Sequence, residues 1–196
     1  MWGKQKPQTS FPEILLHAER IFMRPPQISD WQQWASLRAK NKKHIQPFEP
    51  LWAENALEEA FFERRVQRQS REWHLGIANA FLIFKSSDRQ LIGGMNINNI
   101  CRGAAQYAAL GYWIDQDHEG QGYMAEALNV TLKYCFEDLE LHRVNASCLP
   151  HNPRSKKTLL KAGFQEEGFA EKYLQIDGDW QDHELFGLPI ENWQKN

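Results

Sequence analysis

The stretch "HEGQGYMAEAL", His118 to Leu128, puts two glycines, Gly120 and Gly122, immediately ahead of a run of good helix formers. The first N–H groups of a helix lack intrahelical partners and the helix dipole adds positive potential, so such an entrance favours an anion. Glycines without a Cβ let the backbone close on it. A dinucleotide fingerprint would need a third glycine, and a P-loop would need Lys and then Ser or Thr, whereas here Tyr123 follows Gly122. G-x-G before a helix therefore leaves two readings, a diphosphate cradle or a tight strand-to-helix turn with no ligand. A second segment, "HNPRSKKTLLKAGF", reads as a helix marked at both ends, with Asn152 as N-cap, Pro153 in the first turn and Gly163 just past the end. Ser155 stands in that first turn, where it either completes the cap or offers a hydroxyl.

These segments need a sheet to hold them. "RIFMRPP" reads as a first strand ended by Pro25-Pro26, after which Ser29 or Asp30 caps a helix carrying Trp31, Trp34 and Leu37 on one face. "IQPFEPLW" is a proline-punctuated loop, and a charged helix runs from Asn55 to about Glu72 with a stripe of Leu57, Phe61, Phe62 and Val66. "AFLIF" and "LIGGMNI" flank Ser86-Ser87-Asp88 as a hairpin, and "AALGYWI" is a strand running directly into the glycine loop. The helix beyond the loop buries Leu128, Leu132, Cys135, Phe136 and Leu139 at spacings of three and four. "RVNASCL" is another strand, and "YLQIDGDWQDHEL" reads as two strands joined at Asp177-Gly178. Strands and helices without strict alternation argue for an α+β fold around a mixed sheet.

Composition excludes several classes. With 196 residues, 42% hydrophobic, the chain supports one full core, and the absence of repeats or linkers makes residues 1–196 one expected domain, the first ten or so flexible. A net charge of -2 offers no basic surface for nucleic acid. "MWGKQKPQTS" lacks the apolar region of a secretion signal, and no run approaches the roughly 18 apolar residues of a membrane span. Cys101, Cys135 and Cys148 are odd in number and scattered, which fits buried thiols in a reducing cytoplasm, and no histidine spacing suggests a metal.

The order of the two chemical segments, with a strand between them, resembles the GNAT superfamily of acetyl-CoA-dependent N-acetyltransferases. The matching residues are Glu119-Gly120-Gln121-Gly122-Tyr123-Met124 and Asn152-Pro153-Arg154-Ser155 through Lys161-Ala162-Gly163-Phe164. Longer stretches, among them "FMRPPQISDWQQW", "HIQPFEPLW" and "LLKAGFQEEGFA", are similar to the branch that acetylates ribosomal proteins on an N-terminal alanine, over about Arg20 to Leu188. The resemblance implies a mixed, mostly antiparallel sheet of about six or seven strands flanked by helices. It implies acetyl-CoA as cosubstrate, no metal, and a small-subunit ribosomal protein as acceptor partner, with the enzyme a monomer or homodimer. Coenzyme contacts then fall on Trp113, Ile114, Glu119, Gly120, Gln121, Gly122, Tyr123, Met124, Asn152 and Ser155. Ser155 is the candidate catalytic hydroxyl for the departing thiolate, and a backbone N–H near Trp113-Ile114 the donor for the oxyanion.

Several positions depart from the superfamily pattern. Glu119 stands where Gln or Arg is usual, and repulsion from a diphosphate predicts that its side chain turns outward to solvent. Met124 replaces a small residue. Ala109 stands where many members carry a Glu, and Leu159 where many carry a Tyr acid. An α-amine titrates near 7.7–8.0, so about a quarter is already neutral at pH 7.4, whereas freeing a lysine near 10.4 costs about 4 kcal/mol. Lacking a strong base therefore tilts the chain towards N-terminal amines. Glu126 reads as a first-turn carboxylate, Tyr107 and Tyr112 as strand packing, and His151 and His183 as structural. The acidic stretch with Glu166, Glu167, Glu171, Asp177, Asp179, Asp182 and Glu184 is either a solvated face or an attraction for a cationic acceptor. Small-molecule amine acetylation and a non-catalytic acetyl-CoA-binding module remain as alternatives.

Overall fold

The computed structural model describes residues 10–193, so the expected flexibility of the first ten residues lies, Ser10 apart, outside the described residues. The strands are β1 (Leu16–His17), β2 (Ile21–Arg24), β3 (Asn79–Lys85), β4 (Leu91–Cys101), β5 (Tyr107–Ile114), β6 (Arg143–Cys148), β7 (Gln165–Ile176) and β8 (Asp179–Pro189). The helices are α1 (Trp31–Lys40), α2 (Lys42–Ile45), α3 (Glu59–His74), α4 (Tyr123–Lys133), α5 (Pro153–Lys161) and α6 (Ile190–Trp193). One sheet takes the order β1-β2-β3-β4-β5-β6-β8-β7, eight strands among the described residues, which is the mixed α+β architecture expected. Its neighbours are antiparallel except β5 and β6, which run parallel.

Side chains alternate between two cores on opposite faces of the sheet. Ala108 and Leu110 of β5 join Leu128, Leu132 and Cys135 from α4 and its five-residue π-helical extension, together with Leu159 of α5. Trp113 of β5 points the other way, into a cluster with Trp34 and Leu37 of α1 and Phe62 and Val66 of α3. That orientation requires glycine on β4, since a Cβ at Gly94 would lie 2.5 Å from the Trp113 indole nitrogen. Of the stripes expected from the sequence, Trp34, Leu37, Phe62, Val66, Leu128, Leu132, Cys135 and Phe136 are buried, whereas Trp31, Phe61 and Leu139 are half-buried and Leu57 lies before its helix.

Local chemistry shifts several boundaries. The pair β1 precedes the expected first strand. Asp30 does not cap α1 with its side chain; its carboxylate instead takes the Gln27 N–H at 2.7 Å and both terminal nitrogens of Arg24 at 2.8 and 2.6 Å. The charged helix starts at Glu59 rather than Asn55, because Glu58 is extended and the turns before it place the Leu57 carbonyl on Trp31 Nε1 at 2.9 Å. A 3-10 turn, Gln116–His118, separates β5 from the glycine loop. The β7–β8 hairpin turns at Asp177-Gly178 as expected, although β7 begins earlier, at Gln165.

Candidate active site

The glycine loop hangs from a buried carboxylate. Asp115, fully buried, accepts hydrogen bonds from Asn41 Nδ2 at 2.8 Å, Lys40 Nζ at 3.0 Å and His118 Nδ1 at 2.8 Å. Burial alone would raise its carboxyl, but these donors hold it below the usual carboxylate range. Asn41 also accepts from the Gln116 N–H at 2.9 Å, so the end of α1 clamps the loop from two sides. Gly120 and Gly122 then take φ of +70° and +87°, left-handed values that favour glycine. Gly122 is the N-cap of α4 and brings no capping side chain, so the first-turn amides face the cleft without one.

The structure places most of the expected contacts on one cleft of about 1470 Å³: Trp113, Ile114, Glu119, Gly120, Gly122, Tyr123, Met124, Asn152 and Ser155 all border it. Gln121 does not border it; its side-chain amide folds back onto the Asp117 carbonyl at 2.7 Å. Glu119 departs from expectation. Rather than turning to solvent, its carboxylate accepts from His44 Nε2 at 2.8 Å and pairs with Arg154, so donors from α2 and α5 both hold it. Met124 is buried in the α4-side core, which is how the helix start tolerates the larger side chain. Glu126 is held by Arg20, through the Arg20 N–H at 3.0 Å and an ion pair, and so serves as a brace.

The strands part beside this loop. Parallel pairing of β5 with β6 runs from Tyr107↔Arg143 to Leu110↔Ala146 and stops, although β5 continues to Ile114 and β6 to Cys148. The β6-facing backbone beyond Leu110 therefore has no strand partner and lines a gap. Across that gap the Tyr112 hydroxyl meets Ser155 Oγ at 2.9 Å. Ser155 completes the Asn152 cap with its backbone N–H at 3.1 Å, which leaves its hydroxyl out of the cap. Burial pushes the Tyr112 phenol up to about 12, against the opposing hydrogen bond from Ser155. Burial likewise pushes the nearby Cys148 thiol up to about 11. Tyr112 was read as packing; the signal for it was the alternation that puts it, unlike Trp113, on the face shared with α5. Leu159, at the position of the expected tyrosine acid, is fully buried in the core.

Side chains from distant parts of the chain build the other half. Asp177 N–H donates to the Glu49 carbonyl at 2.8 Å, joining the β7–β8 hairpin to the segment before α3. Arg38 pairs with the Glu49 carboxylate and sits 4.2 Å from the Trp52 ring centroid and 4.9 Å from that of Trp113, fixing this segment over the sheet. Ala109, Gly111, Asn96 and Asn98 line the floor, and His151 and His183 also border the cleft. Tyr107 lies away from it, at the start of β5, lining a separate cavity. Among the described residues no cluster could hold a metal ion, and no helix is long and apolar enough to cross a membrane.

Comparison with known proteins agrees with this geometry. Residues 20–165 match the family model described as an acetyltransferase (GNAT) domain. The chain is 32% identical over 186 residues to the [ribosomal protein uS5]-alanine N-acetyltransferase of Escherichia coli (strain K12), covering 95% of this chain and 96% of that one. The structure of ribosomal-protein-S5-alanine acetyltransferase from Vibrio fischeri superposes with a TM-score of 0.85 at 29% identity, over 92% of this chain and 99% of that one. Mycobacterium smegmatis RimJ, in complex with CoA-disulfide, gives a TM-score of 0.83 at 30% identity, over 87% and 82% of the two chains. A family model spanning most of the chain, an eight-stranded sheet that parts at β5 and β6, and a glycine loop at the entrance of α4 lead to one assignment: the chain belongs to the GNAT acetyltransferase family.

Proposed function

We propose that the protein transfers the acetyl group of acetyl-CoA to the α-amine of a protein N-terminus, an alanine of a small-subunit ribosomal protein. The observation that carries this reading is the Tyr112–Ser155 hydroxyl pair, set across the gap between β5 and β6 and beside the uncapped entrance of α4. The relatives from E. coli and V. fischeri, both named for acetylating an alanine of the same ribosomal protein, support the acceptor class.

The residues present fit the coenzyme. Backbone amides at Gly120–Ala125 suit a diphosphate, and the unpaired edge of β5 suits the amides of a pantetheine arm. Acetyl-CoA, when bound, supplies the thioester carbon that the amine attacks. N–H groups on the free edge near Trp113 and Ile114 offer donors to the negative charge developing on the thioester oxygen, worth about 3–4 kcal/mol for one well-placed donor. Ile114 carries the free-edge N–H, because alternation along β5 turns the Trp113 backbone, like the Asp115 N–H that donates to the Ile92 carbonyl at 2.8 Å, towards β4, and the Trp113 indole lies on the other face against Arg38.

Tyr112 and Ser155 act on the leaving sulfur. A phenol near 12 keeps its proton at neutral pH, so the pair donates a hydrogen bond to a thiolate and does not act as a base. Complete proton transfer from it to a thiolate of ordinary basicity, near 8.5, would run uphill by about 3 pKa units; the attacking amine's own proton is the more available one. Ala109 leaves no carboxylate base on the floor, which suits an α-amine that is partly neutral already. The helix dipole of α5 adds positive potential towards the same sulfur.

Peptides beginning with Ala, Ser or Met, incubated with labelled acetyl-CoA, test the reading directly. Turnover on the Ala peptide is the expected result. Coenzyme binding without turnover on any peptide or small amine would instead leave a non-catalytic binding module. Proteome-wide mapping of N-termini after gene deletion then identifies the acceptor, since its acetyl mark disappears.

A further inference from the structure

Arg65 of α3 has no hydrogen bond and no carboxylate within ion-pair reach among the described residues; its guanidinium lies 5.7 Å from the Trp34 ring centroid. Its neighbours differ: Arg38 is paired with Glu49, and Arg68 lies 3.8 Å from Glu72. Burial, and then the charge of Arg38, push the Arg65 guanidinium down to about 10, so it remains a cation at neutral pH while short of partners. Arg65 is half-buried and its guanidinium donors are left to water, which a ligand that supplies oxygen atoms at this point of the cleft can replace.

The position of Arg65 indicates which ligand. It stands at the junction between the acceptor half of the main cleft and a side cavity of about 610 Å³ that runs between α3 and the far ends of β4 and β5. Asn96 and Asn98 of β4 border both spaces, and their side-chain amides have no hydrogen-bond partner within the described residues. Beyond them the side cavity is lined by further polar groups, among them Arg68, Gln69 and Asn79. A guanidinium offers only donors and an amide offers both a donor and an acceptor, a combination that suits the alternating C=O and N–H groups of an extended main chain. A single carboxylate would satisfy Arg65 but leave the amides and the side cavity unused.

We propose that Arg65 binds the carbonyl oxygens of the acceptor's first peptide units, and that the acceptor chain leaves the transfer point through the side cavity, paired at its threshold by Asn96 and Asn98. This rests on the protein N-terminus reading and deepens it, assigning selection for a peptide over a free amino acid to Arg65.

The test compares an Ala-first hexapeptide, alanine amide and free alanine on the wild type, Arg65→Gln and Asn98→Ala. Peptide affinity is measured by calorimetry in the presence of CoA, and KM and kcat by turnover. Thermal melting checks the folding of Arg65→Gln, while Asn98 is exposed and its truncation leaves the core untouched. Arg65→Gln is expected to weaken hexapeptide binding and raise its KM about tenfold or more, with kcat within about threefold and CoA affinity unchanged. Asn98→Ala is expected to weaken the hexapeptide about threefold, and alanine amide is expected to lose less than the hexapeptide in both variants. Unchanged hexapeptide affinity in both variants overturns the contact. An equal or larger loss for free alanine overturns it too, in favour of a carboxylate site. Wild-type inactivity on every peptide overturns the N-terminal reading as well, whereas wild-type turnover with an indifferent Arg65→Gln overturns this contact alone.

Discussion

The two sides of the cleft are built by different means. On the α4–α5 side the groups offered to a ligand are mostly backbone: the amides after Gly122, the free edge of β5 and the entrance of α5. On the α1–α3 side they are side chains, with Arg38, Glu49, Arg65, Asn96 and Asn98 gathered from four separate segments. A backbone cradle recognises the feature common to every CoA thioester, the diphosphate, and tolerates changes in side-chain identity. Under the proposed function, the side-chain wall is where one acceptor would be told from another. The lesson is that departures from the superfamily pattern matter little on the first side unless they change a φ angle or a charge, and matter fully on the second.

The sharpest way to break that contrast is at Tyr112 and Ser155, side chains on the backbone side. If they form one donor to the leaving sulfur, Tyr112→Phe and Ser155→Ala should each lower kcat about 100-fold. The double variant should be little worse than the more damaging single one, because groups acting as a unit are not additive. CoA affinity should stay within about threefold, since the Asn152 cap uses the Ser155 backbone N–H and survives the loss of Oγ. An unaltered kcat in Ser155→Ala would leave that side purely backbone, with Ser155 a cap and nothing more.

Gly122 tests the backbone side where it is most constrained. A valine there would have to adopt φ near +87°, and its Cβ would stand 3.1 Å from Arg20 Nη2. Strain of roughly 1–3 kcal/mol for a left-handed non-glycine residue predicts a tenfold to hundredfold loss of CoA affinity by calorimetry. Acceptor KM at saturating coenzyme should not move. A variant that binds CoA as tightly as the wild type would remove the loop from the diphosphate site.

The same division explains what could be read from the sequence. The helix of Asn152–Gly163 was legible because its signals are local: an Asn whose side chain takes the Ser155 N–H, a proline in the first turn, a glycine at φ +91°. The hairpin at Asp177-Gly178 and the α4 stripe were legible for the same reason. Glu119 was misread because its partners, His44 and Arg154, lie 75 and 35 residues away, and nothing local announces a carboxylate held by donors from two other elements. Asn55 looked like a helix cap, yet the Trp31–Leu57 contact delays the helix to Glu59. Tyr112 reads as strand packing in the sequence, and only the gap between β5 and β6 shows that its hydroxyl reaches Ser155. Long-range neighbours, not propensity, assemble the side-chain wall of the cleft.

Acidity gives a further contrast between the halves. Tyr112 near 12 and Cys148 near 11 are both raised by burial, so both stay protonated, and neutral, throughout the range from pH 6 to 10. The hydroxyl pair then contributes no alkaline loss of activity in that range. The acid side should be set by the acceptor amine, whose neutral fraction falls about tenfold per pH unit below roughly 7.7. A profile of kcat/KM against pH for an Ala peptide should therefore rise to a plateau above about pH 8.5 and remain there to about pH 10. A falling limb centred near 8 or 9 would mean that a donor on the coenzyme side titrates, contrary to the burial of Tyr112.

The smallest effect is expected at Glu119, a carboxylate that borders the cleft beside the glycine loop, and its direction is diagnostic. Its carboxylate occupies His44 and Arg154 at the mouth of the cleft, and Arg154 is largely exposed, so the pair is worth little in stability. Glu119→Gln removes a negative charge near the diphosphate and releases Arg154 towards it. CoA affinity should rise about two- to fivefold at low salt, and the gain should vanish at about 1 M salt, where the Debye length is about 3 Å. Arg154→Ala should do the reverse, leaving Glu119 less compensated, and the double variant should return close to the wild-type affinity. If Glu119→Gln weakens binding at every salt concentration, the carboxylate is instead a brace that holds the loop to α2 and α5. The backbone cradle would then depend on side chains from elsewhere as much as the acceptor wall does.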